Sequence, residues 1–123
     1  MSRYRVVICE DDPTTLTLLR RIIEKIPGTE VAGWPSVGQA LLDIERSKPS
    51  LVVLDHMMPG ATGLDGLKHL RSTPWGKGIP VLLYSASDIE EAAYREGATS
   101  FLRKPAPASH FLSRVKTLLG VTE

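Results

Sequence analysis

Four short apolar runs in this 123-residue chain each stop at residues suited to phosphoryl chemistry. Val6-Val7-Ile8-Cys9 runs into Glu10-Asp11-Asp12, and Leu51-Val52-Val53-Leu54 runs into Asp55. Val81-Leu82-Leu83-Tyr84 ends at Ser85, and Phe101-Leu102-Arg103 ends at Lys104-Pro105. A carboxylate cluster, a lone aspartate, a hydroxyl and a lysine suit a cation plus a phosphoryl group. Apolar runs of this length, bounded by polar or turn residues, read as buried strands of a parallel sheet. In open α/β sheets ligands bind beyond the carboxyl ends of the strands, so the four sets would gather on one edge.

The elements that must hold them alternate along the chain, as βα units around a parallel sheet require. Strands are expected at about Tyr4–Cys9, Glu30–Trp34, Leu51–Leu54, Val81–Tyr84 and Ser100–Arg103. Asp12 can cap a first helix with Pro13 at its first position, and Leu16, Leu19, Ile22, Ile23 and Ile26 recur at helical spacing before Pro27-Gly28. Ser36 can cap a second helix that buries Val37, Ala40, Leu41 and Ile44. After a Pro- and Gly-rich loop from Pro59 to Gly63, a third helix carries Leu64, Leu67 and Leu70. A short fourth helix spans roughly Asp88 to Glu96 before Gly97. The last starts near Pro107 or Ala108, buries Phe111, Leu112, Val115, Leu118 and Leu119, and ends at Gly120. Five such units fit a doubly wound (βα)5 sandwich, and its expected sheet order is the flavodoxin-like 2-1-3-4-5, one of two common windings. Both common doubly wound orders open a crevice where the winding reverses. In this one, strands one and three are neighbours there, and Glu10, Asp11 and Asp55 would face one another. Like charges that close raise one another's pKa unless a cation joins them, and hard carboxylate oxygens favour Mg2+ over soft metals.

Fifteen Lys and Arg against fourteen Asp and Glu leave a net charge of +1, which points to neither a nucleic-acid nor a membrane surface. The single cysteine, Cys9, cannot form an internal disulfide and reads as a buried thiol in a reducing compartment. No run approaches the ~18 apolar residues of a membrane span, and the N-terminus lacks a signal peptide's apolar region. The expectation is one cytoplasmic domain over residues 1–123.

The segment Val7-Ile8-Cys9-Glu10-Asp11-Asp12-Pro13, the segment Leu54-Asp55-His56-Met57-Met58-Pro59 with Gly63, and the pairs Ser85-Ala86 and Lys104-Pro105 together resemble a response-regulator receiver domain of the CheY-like family. The resemblance runs the length of the chain and rests on the ordered combination, since no one motif is specific. It implies that Asp55 is the phosphoacceptor, taking a phosphoryl group from a sensor histidine kinase or phosphotransfer protein and signalling to an unnamed downstream partner. Asp11 matches the direct Mg2+ ligand, Glu10 the acid that acts through metal-bound water, and Met57 the residue whose backbone carbonyl completes the set. Ser85 and Lys104 match the groups that hold phosphoryl oxygens, and Phe101 the aromatic switch that turns inward when the hydroxyl moves. The resemblance also implies a cis peptide before Pro105.

Two departures stand out. Only twelve positions separate Ser85 from Gly97, so the fourth helix or its preceding loop must be short. Phe101 lacks a tyrosine hydroxyl, so a switch there acts by packing.

Asp12 is expected to be only a cap, and Met58 only core packing, whereas Met57 belongs at the rim of the site. His56, His69 and His110 share no ligand spacing. An aspartyl-phosphate phosphatase of the haloacid-dehalogenase type would carry an acid two residues after the nucleophile, where this chain has Met57. A flavodoxin would need a Ser/Thr/Gly-rich phosphate loop after the first strand. A receiver that is never phosphorylated and works through protein contacts is the remaining alternative.

Overall fold

A computed structural model describes residues 3–121. The chain alternates β1 (Tyr4–Cys9), α1 (Pro13–Ile23), β2 (Thr29–Trp34), α2 (Val37–Ser47), β3 (Leu51–Leu54), α3 (Gly63–Ser72), β4 (Val81–Ser85), α4 (Glu90–Arg95), β5 (Ser100–Arg103) and α5 (Ala108–Leu119). All strand pairs are parallel, and the order is β2-β1-β3-β4-β5, as expected.

Strand periodicity divides the core into two layers. Val7, Cys9, Val52, Leu54, Val81, Leu83 and Phe101 pack with α2, α3 and Ala93 of α4 on one face. Val6, Ile8, Leu51, Val53, Leu82 and Tyr84 pack with α1 and α5 on the other. Because β1, β3 and β4 are buried on both faces, they read as unbroken apolar runs rather than alternating ones. Each fully buried Val, Ile or Leu contributes roughly 1.5–3 kcal/mol, so this centre fixes the sheet on which the site is built.

Register then sets the strand ends level. Cys9 lies opposite Leu54, Leu54 opposite Leu83, and Ser85 opposite Arg103. The residues that follow emerge on one edge.

Helix starts follow the capping chemistry. The Asp12 carboxylate accepts from Thr15 N–H at 3.0 Å, and the Ser36 hydroxyl accepts from Gln39 N–H at 3.3 Å. Hydrogen bonds from Thr15 hold Asp12 below the usual carboxylate range, consistent with a purely capping role. Thr62 and Asp65 form a reciprocal capping box at α3.

Three local differences have physical causes. First, α1 ends at Ile23 although the apolar spacing continues to Ile26. Pro27 disfavours the helical conformation at Ile26, and the last turn tightens so that Ile26 N–H donates to Ile23 C=O at 3.0 Å while its side chain stays buried. Second, α4 begins at Glu90 rather than near Asp88: its N-cap is Ile89, whose apolar side chain accepts nothing, and the Asp88 carboxylate accepts from Arg103 Nη2 at 2.9 Å. The fourth helix is short, as the spacing required. Third, Leu41 of α2 and Leu112, Leu118 and Leu119 of α5 are only partly buried, and it is Asp43 that α2 turns inward. Among the described residues, no helix is long and apolar enough to cross a membrane.

Candidate functional site

Three residues of the sheet edge are each pinned by a hydrogen bond that extends a strand ladder past its last residue. Asp55 N–H donates to Cys9 C=O at 3.1 Å, Glu10 N–H to Trp34 C=O at 3.0 Å, and Lys104 N–H to Ser85 C=O at 3.0 Å. The site therefore inherits the rigidity of the sheet rather than the freedom of its loops.

Ligand oxygens of Glu10, Asp11 and Asp55 all lie within 4.8 Å of one another. Glu10 is 3% exposed and Asp55 9%, while Asp11 faces solvent. Lys104 Nζ donates to Glu10 Oε1 at 2.9 Å and to Asp55 Oδ2 at 3.3 Å, joining acids that are 45 positions apart in sequence. Burial raises the Glu10 pKa above the usual carboxylate range, against the opposing hydrogen bond from Lys104. Burial works against the Lys104 ammonium too, but the hydrogen bond to Glu10 and the charge of Asp55 outweigh it and its pKa is raised. Three carboxylates facing one ammonium leave an excess of negative charge made entirely of hard oxygen donors. That donor set fits a divalent cation, with Asp11 at the open side.

The Asp55 carboxylate is also held from its own loop. His56 N–H donates to Asp55 Oδ1 at 2.7 Å, so one oxygen is fixed by main chain and the other faces Lys104. His56 Nδ1 accepts from Leu64 N–H at 3.4 Å, tying the turn to the start of α3. Gly63, the first residue of α3, crosses directly over this turn: a Cβ there would lie 2.2 Å from the Asp55 carbonyl oxygen. Only glycine lets the helix start so close.

The remaining expected residues are distributed around this centre. Ser85 is fully buried at the end of β4, and its Oγ accepts from Ser87 N–H at 3.2 Å in the loop leading to α4. The Met57 side chain is 67% exposed, as expected at a rim, while Met58 is buried with its sulfur 3.9 Å from Cys9 Sγ. Phe101 is 5% exposed and already lies inward, in the core layer under α2 and α3 rather than in the acidic cluster. His69 and His110 are exposed. The Lys104–Pro105 bond is cis. Burial, then the charges of Glu10, Asp55 and Asp11, push the Cys9 thiol up to about 12, which disfavours the reactive thiolate.

Sequence reasoning missed several supporting side chains. Tyr94 Oη of α4 accepts from Phe101 N–H at 3.1 Å, and Arg114 Nη1 of α5 donates to Phe101 C=O at 3.0 Å, so both main-chain groups of that edge residue are capped. Arg5 Nη2 binds both oxygens of Asp43 at 2.9 Å, and Trp34 Nε1 donates to the same carboxylate at 2.7 Å. No spacing signal links these residues. Polar types on otherwise apolar faces were the only hint.

Comparison with known proteins bears on the whole arrangement. Residues 6–116 match the family model described as response regulator receiver domain. The chain is 33% identical over 122 residues to the cyclic di-GMP phosphodiesterase response regulator RpfG of Xanthomonas campestris, covering 96% of this chain and 32% of that protein. It is 28% identical over 119 residues to protein PilH of Pseudomonas aeruginosa, covering 94% of this chain and 98% of PilH. A response regulator structure from Chloroflexus aurantiacus superposes with a TM-score of 0.88 at 28% identity, over 95% of this chain and 98% of that one. The chain thus spans about a third of the length of RpfG and of several other curated relatives it matches. The family match runs from within β1 to within α5 and takes in every strand end of the acidic edge, and the chain accordingly belongs to the response regulator receiver domain family of two-component signalling.

Proposed function

We propose that Asp55 is the phosphoacceptor of this receiver domain, that Glu10, Asp11, Asp55 and the Met57 carbonyl hold Mg2+, and that the whole chain acts as one such unit. The observation that carries the reading is the Lys104 ammonium bridging Glu10 and Asp55 inside a cluster of three convergent carboxylates. A carboxylate attacking a phosphoryl group brings negative charge onto negative charge, so the reaction depends on positioning and electrostatic offset. The cation would supply neutralisation of the incoming phosphoryl oxygens. Lys104 supplies the rest, moving from Glu10 toward a phosphoryl oxygen while staying beside Asp55. His56 N–H keeps the carboxylate oriented for in-line attack, with a new bond from Asp55 to phosphorus as the P–N bond of the donor's phosphohistidine breaks and the imidazole nitrogen keeps its electrons; with acetyl phosphate the bridging oxygen leaves instead.

Ser85 releases Ser87 N–H and turns its hydroxyl to another phosphoryl oxygen, which draws on the β4–α4 loop. Phe101 lies inward already, so at this position the response is a change in packing beneath α4. The chemistry is confined to the domain's own Asp55, and its product is a signalling state rather than a released metabolite. The donor is a histidine kinase or phosphotransfer protein in the cytoplasm, and the reader is a downstream protein.

Incubation with acetyl phosphate, with Mg2+ or with excess chelator, tests this by intact-mass spectrometry. Wild type gains one phosphoryl group only with Mg2+, Asp55→Asn gains none, and Lys104→Met gains it far more slowly. An adduct that persists in Asp55→Asn overturns the reading.

A further inference from the structure

Lys104 has a long way to reach. It follows β5, whereas its partners follow β3 and β1, so its side chain must cross the end of β4. Neighbouring strands stand about 4.8 Å apart, which puts β3 roughly 10 Å from β5. A flexible four-carbon stem with a strongly hydrated head would not hold such a course unaided.

The residue under that course is Tyr84, the one before Ser85. Lys104 Nζ lies 5.3 Å from the centroid of the Tyr84 ring, within cation–π range. The ring is itself fixed: Tyr84 is 7% exposed, and Phe111 of α5 packs against it with centroids 5.0 Å apart at a 40° tilt. The Lys104 side chain is 21% exposed, so solvent competes only weakly for the ammonium. Tyr84 belongs to the core layer under α1 and α5, which alone would account for an apolar residue there but not for an aromatic face beneath a cation.

We propose that Tyr84 is a positioning residue, whose ring carries the Lys104 ammonium across the end of β4 and holds it against Glu10 and Asp55. This rests on the reading of Lys104 as the group that meets the phosphoryl oxygen. It also gives α5 a packed route to the site, through Phe111 and Tyr84 to Lys104.

Two measurements on the full chain test it. An aromatic face shifts nearby lysine Hε protons upfield, so in a methylene-resolved NMR spectrum the Lys104 Hε signals of wild type lie upfield of those of exposed lysines. Tyr84→Phe keeps that shift and a near-wild-type rate of phosphorylation by acetyl phosphate, whereas Tyr84→Leu loses the shift and slows about three- to ten-fold. In a Lys104→Met background, Tyr84→Leu adds no further slowing, which a purely structural role would still produce. The proposal is overturned by an unshifted Lys104 in wild type, by an unchanged rate in Tyr84→Leu, or by equal slowing in the Lys104→Met background. Should Tyr84→Leu not fold, the wild-type shift and its retention in Tyr84→Phe decide the question. A wild type that takes no phosphoryl group on Asp55 would defeat the phosphoacceptor reading, while the NMR shift would still judge the Tyr84–Lys104 contact.

Discussion

Replacing Gly63 by alanine sets two effects of opposite sign against each other. Alanine is the better helix former by up to ~1 kcal/mol, so propensity alone predicts a small gain at the first residue of α3. The geometry predicts the reverse. The new Cβ would sit 2.2 Å from the Asp55 carbonyl oxygen and 2.9 Å from both the Asp55 carbonyl carbon and His56 Cα. Restoring even a 3.0 Å contact requires a shift of about 0.8 Å, and the three nearest atoms are all backbone, so no side chain can swing aside to relieve it. The shift falls on Asp55, the proposed phosphoacceptor, whose carboxylate the reading requires to be aligned with phosphorus. Overpacking costs about 1–3 kcal/mol, which leaves a net stability loss of roughly 0–2 kcal/mol once propensity is credited. A displacement near 1 Å costs catalysis on the order of 100-fold. Gly63→Ala should therefore fold with a modestly lower Tm but take phosphate from acetyl phosphate roughly 100-fold more slowly. Gly78→Ala, where an added Cβ meets nothing within 4 Å, should match wild type in both assays. Wild-type phosphorylation kinetics in a folded Gly63→Ala would refute the reasoning, because Asp55 would then tolerate the displacement.

Other outcomes follow from the supporting network. Asp43→Ala removes the acceptor of Arg5 and Trp34, and chemical denaturation at neutral pH should register a loss of about 2–4 kcal/mol. Burial tends to raise the Asp43 pKa, but hydrogen bonds from Trp34 and Arg5 prevail and it is lowered in the fold. Its contribution is thus complete above the unfolded value near ~3.9 and lost as pH falls through the lower folded value, so the variant should show a shallower decline of stability in acid. Arg71→Met strips the guanidinium bonds to the Gly76, Ile79 and Gly97 carbonyls and to the Thr99 hydroxyl. Those loops enter β4 and β5 at the edge opposite the site, so calorimetry should show Tm down by on the order of 10 °C with Asp55 phosphorylation little changed. Met57→Ala exposes the rim to water without touching the core, so Tm should hold while the acyl phosphate, followed by loss of the mass adduct, decays severalfold faster.

The acidic edge was legible because each part of it is local: an apolar run, then a polar residue, four times over. Strand order and register bring Glu10, Asp55 and Lys104 together; winding rules narrow the order to two common ones, and the resemblance to receiver domains points to the one found. What escaped notice is non-local. Arg5 and Asp43 are 38 positions apart, and nothing near either one announces the other. Tyr84 read as the last apolar residue of a strand, and its service to Lys104 depends on a cross-strand path that periodicity cannot express. The end of α1 was misplaced by a turn because apolar spacing continues to Ile26 while the backbone already yields to Pro27. Asp88, expected at the start of the fourth helix, lies before it and pairs with Arg103, a contact that no local pattern announces.

Chemical trapping of the acyl phosphate tests the central claim most directly. Wild type is incubated with acetyl phosphate and Mg2+, reduced with borohydride, digested, and its peptides sequenced by mass spectrometry. Borohydride converts an aspartyl phosphate to homoserine, so the prediction is homoserine at position 55 and nowhere else, absent when the donor is omitted. Homoserine at Asp11, at Asp12 or at no position in phosphorylated protein would contradict it.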